Sequence, residues 1–300
     1  MYELIQAGRQ TYYIDCPSKI GIYVRSGNDV YLIDSGNDKE TAKKVLKIVA
    51  AQNWNVRGIL NTHSHADHIG GNRFIQEKVG CPVFSPGVEG AFTRYPFLEP
   101  AFLYGGYPCK ELRNKFLMAN ESVATPLSSP DFPGEVEIIP LPGHSFDMVG
   151  FRTPDRTVFL ADSVNSPQIL AKYGVPFIYD VARYLETLDS ISALQADIFV
   201  PSHAEASADI RDLVRINREQ VFKIESMLLA ICRTPKTTDE IIAEVFAAFR
   251  LSMNVNQYVL VGSTLRSFLS WMKDRGMVDF CAKEPSYLPC WTSVGRSEDK

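Results

Sequence analysis

Apolar positions along this chain switch between two periods, and the switches mark its elements. Over residues 1–35 they fall in short β-prone runs, Tyr12–Asp15, Ile20–Arg25 and Val30–Ile33, with the turn Ser26-Gly27-Asn28-Asp29 between the last two. From 38 to 53 the spacing lengthens, and Ala42, Val45, Leu46, Val49 and Ala50 share one face of a helix. A strand over 56–61 and a helix running to about Lys78, with Gly80 as its C-cap, come next. Pro82–Phe84 is another short strand. Residues 86–133 break the pattern. They are rich in aromatics, among them Phe92, Tyr95, Phe97, Phe102, Tyr104, Tyr107 and Phe116, and a helix is expected over Cys109–Met118. Such an insertion can form a lid, a pocket wall or a satellite core.

Regular elements then resume, with strands over Val136–Ile139, Met148–Arg152 and Val158–Leu160, a helix over Val181–Leu194 and a strand over Ile198–Val200. Residues 206–232 predict one long amphipathic helix with Ile210, Val214, Val221, Ile224 and Leu228 on its apolar face. Thr237 and Glu240 form a capping-box signature that opens a second helix. A third covers about 257–273 and stops at Gly276. Two short strands, Met277–Phe280 and Leu288–Trp291, flank Glu284-Pro285-Ser286, and the polar tail 293–300 is expected to fray.

Composition narrows the class. At 300 residues, 45% hydrophobic and 22% charged, the chain has ample core for one or two globular domains. A net charge of −4 gives no electrostatic reason to expect nucleic acid as a partner. The start shows no basic region leading into an apolar core, and no apolar run reaches membrane-spanning length, so a cytoplasmic protein is expected. None of the six cysteines forms a C-x-x-C pair, which argues against a structural zinc site and for reduced, buried thiols.

The candidate chemistry sits in residues 59–71, Ile-Leu-Asn-Thr-His-Ser-His-Ala-Asp-His-Ile-Gly-Gly, on a loop between strand and helix. Three imidazoles and a carboxylate, His63, His65, Asp67 and His68, lie within six residues there, a metal-ligand density. His63 and His65, two apart in extended chain, point to one side and can grip one ion, while Asp67 and His68 can face a second. Imidazole with carboxylate suits zinc, iron or manganese. The remaining histidines, His144 in a Pro-Gly-His-Ser turn and His203, also follow predicted strands, as do Asp34 and Asp162. Asp34, beside a glycine, either orients metal ligands or caps a turn.

These residues resemble the metallo-β-lactamase superfamily, in particular its glyoxalase II-like hydrolytic branch. The resemblance is carried by H-x-H-x-D-H over His63–His68, then His144, Asp162 and His203, with Asp34 in an L-I-D-S-G strand end; it covers about residues 10–205. It implies an α/β fold, a four-layer αββα sandwich with the site at one edge. It further implies one metal on His63, His65 and His144, a second on Asp67, His68 and His203, and Asp162 bridging the two. All seven positions are filled. Diiron flavoproteins of the superfamily usually replace the second histidine with glutamate, which this chain does not. Ala161-Asp162 departs from the family's more usual Gly-Asp.

The division expected is a catalytic domain over 1–208, with the insertion at 86–133, and a small helical, winged-helix-like domain over 209–300. The winged-helix likeness rests on element order alone. Its candidate recognition helix is apolar inside, which favours packing over DNA reading. The function implied is a binuclear hydrolase with two divalent ions, zinc first and manganese or iron as alternatives, using a metal-bridging hydroxide on a small ester, thioester or lactone. Asp67 would also steer that hydroxide or shuttle a proton. Tyr104 and Tyr107 are candidate substrate contacts, and the long helix is compatible with a homodimer. Alternatives are a phosphodiesterase or endoribonuclease of the same fold, a mononuclear iron persulfide dioxygenase, and a non-enzymatic metal-bound regulator.

Overall fold

The computed structural model describes residues 2–283 and 288–294. Strands β1 (Glu3–Gln6), β2 (Thr11–Asp15), β3 (Ile20–Ser26) and β4 (Asp29–Ile33) run antiparallel. Helix α1 (Lys39–Ala51) crosses over to the parallel strand β5 (Asn55–Leu60), and Asp38 caps it by accepting from the Thr41 amide. After β5 come the one-turn helix α2 (Ala66–Ile69), then α3 (Asn72–Val79), which ends on Gly80 in the left-handed region. Strand β6 (Val83–Ser85), helices α4 (Glu89–Arg94) and α5 (Leu98–Tyr104) and strand β7 (Ala124–Pro126) complete a seven-stranded sheet in sequence order.

A second sheet has the order β11-β10-β9-β8. It is built from β8 (Glu137–Pro140), β9 (Val149–Arg152) and β10 (Thr157–Asn165), followed by helices α6 (Pro167–Tyr173) and α7 (Val181–Ala193) and strand β11 (Ile198–His203), parallel to β10. Helices α8 (Arg211–Ile231), α9 (Thr238–Phe249) and α10 (Val255–Asp274) and the hairpin β12 (Val278–Lys283) and β13 (Leu288–Ser293) close the order.

Strand alternation explains the layers. Tyr13, Tyr23, Tyr31 and Ile33 face inward and meet Val149, Phe151, Phe159 and Val200 of the second sheet. Their neighbours Ile14, Ile22, Val30 and Leu32 face outward and pack on Ala42, Val45 and Val49 of α1 and Ile75 of α3. The outer face of the second sheet is covered by α7 and α8, and one apolar cluster continues from it into α9 and α10. The result is helix, sheet, sheet, helix, as the resemblance implied. Each fully buried Ile or Leu in these interfaces contributes about 1.5–3 kcal/mol.

Several local expectations need correction. Asp67 and His68 lie on the short helix α2, not on open loop, because the His65 carbonyl accepts from the amides of His68 and Ile69. Cys109–Met118 is not a helix: Lys110–Leu112 makes one 3-10 turn before Arg113 leaves helical geometry. Helices α4, α5 and α6 were not legible as such; each is seven residues or shorter, too few turns to show a period. Strand β10 runs on through Asp162 to Asn165 instead of ending before it. Of the cysteines, Cys81, Cys232 and Cys290 are buried, whereas Cys109 is exposed. Of the tail 293–300 expected to fray, Ser293 instead ends β13, while residues 295–300 and the turn expected at Glu284-Pro285-Ser286 lie outside the described residues. Among the described residues no helix is long and apolar enough to cross a membrane.

Candidate metal centre

The ends of β4, β5, β10 and β11 and the turn after β8 all arrive at one edge of the sandwich, and they carry the polar residues with them. Their side chains form two groups, His63, His65 and His144, and Asp67, His68, Asp162 and His203, each with its ligand atoms within 4.8 Å of one another. In the first, His65 Nδ1 lies 3.1 Å from His63 Nε2 and 3.0 Å from His144 Nε2. In the second, His203 Nε2 is 3.3 Å from Asp67 Oδ2 and 3.2 Å from Asp162 Oδ2. Asp162 spans the two groups, with Oδ1 3.1 Å from His68 Nε2 and Oδ2 3.6 Å from His144 Nε2.

Backbone geometry aims these groups. Ala161 sits at φ +49° where the β10–β11 register shifts, and that kink turns Asp162 into the site. Glycine would take this left-handed φ without strain; alanine here costs about 1–2 kcal/mol. Gly143, at φ +118°, could not be replaced: a Cβ there would lie 2.3 Å from the Tyr184 backbone nitrogen. That close approach of the turn to α7 sets the position of His144.

The remote ring nitrogens fix the tautomers. His144 Nδ1 donates to the Phe177 carbonyl at 3.0 Å, and His203 Nδ1 to the Pro17 carbonyl at 3.0 Å. His68 Nδ1 donates to Asp34 Oδ2 at 2.8 Å. Asp34 also accepts from the Thr62 amide and hydroxyl, both at 2.8 Å, and that hydroxyl in turn accepts from His63 Nδ1 at 3.0 Å. One buried carboxylate therefore orients a ligand of each group. It stands at φ +63°, a conformation that aspartate tolerates better than most residues.

Sequence reasoning missed several residues. Glu89 on α4, fully buried, accepts from the Ser64 amide (3.0 Å) and hydroxyl (2.5 Å) and from the Ser145 hydroxyl (2.8 Å) and Asp147 amide (3.0 Å). It thus ties the His63–His65 loop to the His144 turn. Glu99 on α5 lies 3.7 Å from His65 Nε2, and burial, then the charge of Glu89, push its carboxyl up to about 8. Ser18 donates to Asp67 Oδ2 at 2.6 Å. Thr62 alone had a signal, its place beside His63; Pro17 and Phe177 act through carbonyls, which no residue type announces.

The electrostatics differ between the groups. Burial drives His63 well below its usual value, and His65 and His144 down to about 4, so all three are neutral imidazoles at pH 7. Burial also opposes charge on His68 and His203, but Asp162 and Asp67 outweigh it; His68 is raised well above its usual value and His203 to about 10. Asp67 and Asp162 are pushed up by burial and held well below the carboxylate range by His68 and His203.

The donor set fits metal ions. With Nδ1 protonated on His63 and His144, their Nε2 lone pairs meet His65 Nδ1 about 3 Å away, a convergence that a cation would satisfy. His68 Nε2 and Asp162 Oδ1 are buried and 3.1 Å apart, yet neither makes a hydrogen bond. Orphaned buried polar atoms are rare, and a shared ion accounts for both.

A cavity of about 840 Å³ opens onto His65, Asp67, His144, Asp162 and His203. Its lining mixes polar and charged residues, among them Ser18, Asp38, Lys44 and Lys172, with the apolar Phe116, Leu117, Phe177, Leu260 and Val261. Tyr104 and Tyr107 are not among the lining residues; both are exposed on the insertion. The insertion divides its aromatics, for Phe92 and Phe102 pack on Phe146 while Phe116 lines the cavity.

Fold and site together define a metal-binding αββα sandwich. The sequence model of the metallo-beta-lactamase superfamily matches residues 17–203, and the chain belongs to that superfamily. It is 26% identical over 221 residues, 69% of this chain and 76% of the relative, to a hydroxyacylglutathione hydrolase of Methylococcus capsulatus. It is 27% identical over 202 residues, 64% of this chain and 84% of the relative, to a probable metallo-hydrolase of Bacillus subtilis. These relatives make it a metal-dependent hydrolase. Among solved structures, a beta-lactamase domain protein from Burkholderia ambifaria superposes with a TM-score of 0.72 at 14% identity, covering 97% of this chain and 94% of the other. A metallo-beta-lactamase family protein from Thermus thermophilus gives 0.71 at 19% identity, covering 98% of both chains. At these identities the superpositions speak to the fold, and they extend it through the C-terminal helices.

Proposed function

We propose that this chain is a binuclear metal hydrolase of a small ester, thioester or lactone. The observation that carries the reading is Asp162, whose two oxygens face His68 of one group and His144 of the other. His63, His65 and His144 would hold one divalent ion, and Asp67, His68 and His203 a second, with Asp162 shared and zinc the first choice. Such ions, when bound, acidify water and polarise a carbonyl oxygen.

The chain's own residues supply orientation. Asp34 holds the His68 ring by Nδ1 and, through Thr62, the His63 ring. The Asp67 carboxylate accepts from Ser18, is ionised and lines the cavity, so it can accept a hydrogen bond from the attacking water and steer it. In balance, the water oxygen bonds to the acyl carbon, the acyl–oxygen or acyl–sulfur bond breaks, and the leaving group gains a proton. The apolar cavity wall suits a small, partly apolar substrate better than a polyanion. The hydroxyacylglutathione hydrolases among the relatives support the thioester option.

Residues 1–208 would be the catalytic domain and 209–300 a winged-helix-like module that buttresses the second sheet. His144→Ala should abolish turnover of a model ester or thioester by metal-loaded protein while leaving circular dichroism and chain folding intact. Retained turnover would overturn the assignment.

A further inference from the structure

The cavity is larger than a two-carbon ester requires, and its apolar side is not part of the stretch that defines the family. Leu117 comes from the insertion and Leu260 from α10, beyond residue 203 where the family match ends. Both belong to one apolar cluster, in which Leu103, Leu112, Leu117 and Val259 are buried and Phe177 and Leu260 pack against them. Phe177 joins that cluster to the metal-binding histidines. Its ring meets His65 edge-on with centroids 5.2 Å apart and His144 at 5.7 Å, while its carbonyl orients His144. An apolar strip thus leads from the reacting end of the cavity to α10. The lining also includes the polar Ser18, Asn37, Asp38 and Thr41.

We infer that this strip is an acyl-binding subsite, and that the enzyme selects substrates with an unbranched apolar acyl group of medium length, laid against Phe177, Leu117 and Leu260. The inference rests on the hydrolase reading and adds the substrate class to it. A methylene moved from water onto an apolar wall improves binding about threefold to fourfold. Selectivity gained in this way is present in both the bound substrate and the transition state, so it shows mainly in KM.

The test uses full-length, zinc-loaded protein and the p-nitrophenyl esters of acetate, butyrate and hexanoate. The expected result is a kcat/KM that rises roughly threefold per methylene, on the order of 80-fold from acetate to hexanoate, with KM carrying most of the change. Leu260→Asn should pull the hexanoate-to-acetate ratio down at least about fivefold. A flat series with measurable turnover overturns the subsite and leaves the hydrolase reading standing. No turnover of any ester counts against the hydrolase reading. The subsite is then decided by calorimetric binding of acetate, butyrate and hexanoate to the wild-type protein. Affinity rising with chain length supports it, and length-independent affinity overturns it. The same binding series replaces the variant if Leu260→Asn does not fold.

Discussion

Replacing Glu89 by glutamine tests how the first histidine group is assembled. Each Glu89 oxygen accepts two hydrogen bonds, one oxygen from Ser64 and the other from Ser145 and Asp147. A glutamine keeps the shape but turns one of those oxygens into an NH₂ that cannot accept. All four donors then lose a charged partner and two lose their acceptor, in a fully buried place. Bonds to a charged group are worth about 1.5–3 kcal/mol each, and a serine hydroxyl can rotate to another acceptor, so the loss should be about 3 kcal/mol. For a chain of this size that corresponds to a fall in Tm of about 5 °C. The strain falls on Ser64, between His63 and His65, and on Ser145, next to His144, so the first metal should also bind more weakly. Outer partners of metal ligands are typically worth 10–100-fold in affinity. The assay pairs calorimetric melting of the metal-free variant with zinc competition against a chromophoric chelator. A Tm within about 1 °C of wild type together with unchanged zinc affinity would refute the idea that Glu89 braces the two loops.

Asp34→Asn should weaken the ion held through His68 about 10–100-fold, and the other less, through Thr62 and His63, since the amide loses the charge and one of the two oxygens that accept from the Thr62 amide, the Thr62 hydroxyl and His68; chelator titration would show it, and unaltered affinity at both sites speaks against the assigned role. Proton release should differ between the sites. His65 and His144, down at about 4, are already neutral at pH 7, so first-site affinity should be flat above about pH 5. His203, up at about 10, and His68 hold protons that a metal must displace, so second-site affinity should rise with pH up to about 10. Zinc titrations in buffers of different ionisation enthalpy count those protons, and equal release at both sites would contradict the electrostatics.

Much of this protein was legible in its sequence. The short β-prone runs Tyr12–Asp15 and Val30–Ile33, the helical face of 42–50, and the Thr237–Glu240 capping box are local signals, and each became the expected element. The short helices α4–α6 gave no such signal, and the aromatic run 86–133 left lid, wall and satellite core open. The structure divides it between the wall, with Phe116 and Leu117, and a satellite cluster around Phe146.

The seven clustered histidines and aspartates could be picked out of the chain because their residue types are diagnostic and their backbone placement follows strand ends. How they are held could not be. The partners lie far along the chain, 25 residues from Ser64 to Glu89 and 186 from Pro17 to His203. Pro17 and Phe177 contribute main-chain carbonyls, which every residue possesses, and Glu89 and Glu99 are types more often found in water. The apolar strip is likewise a tertiary product, for Leu117 and Leu260 read as ordinary core until the helices pack. By itself, then, the sequence determined most of the longer elements and the identity of the converging groups, through local periodicity and side-chain chemistry, and it implied the layers through resemblance to a known family. Only tertiary packing decided how each histidine is held, which tautomer it adopts and what shape lies before them, because those depend on atoms brought together from distant parts of the chain.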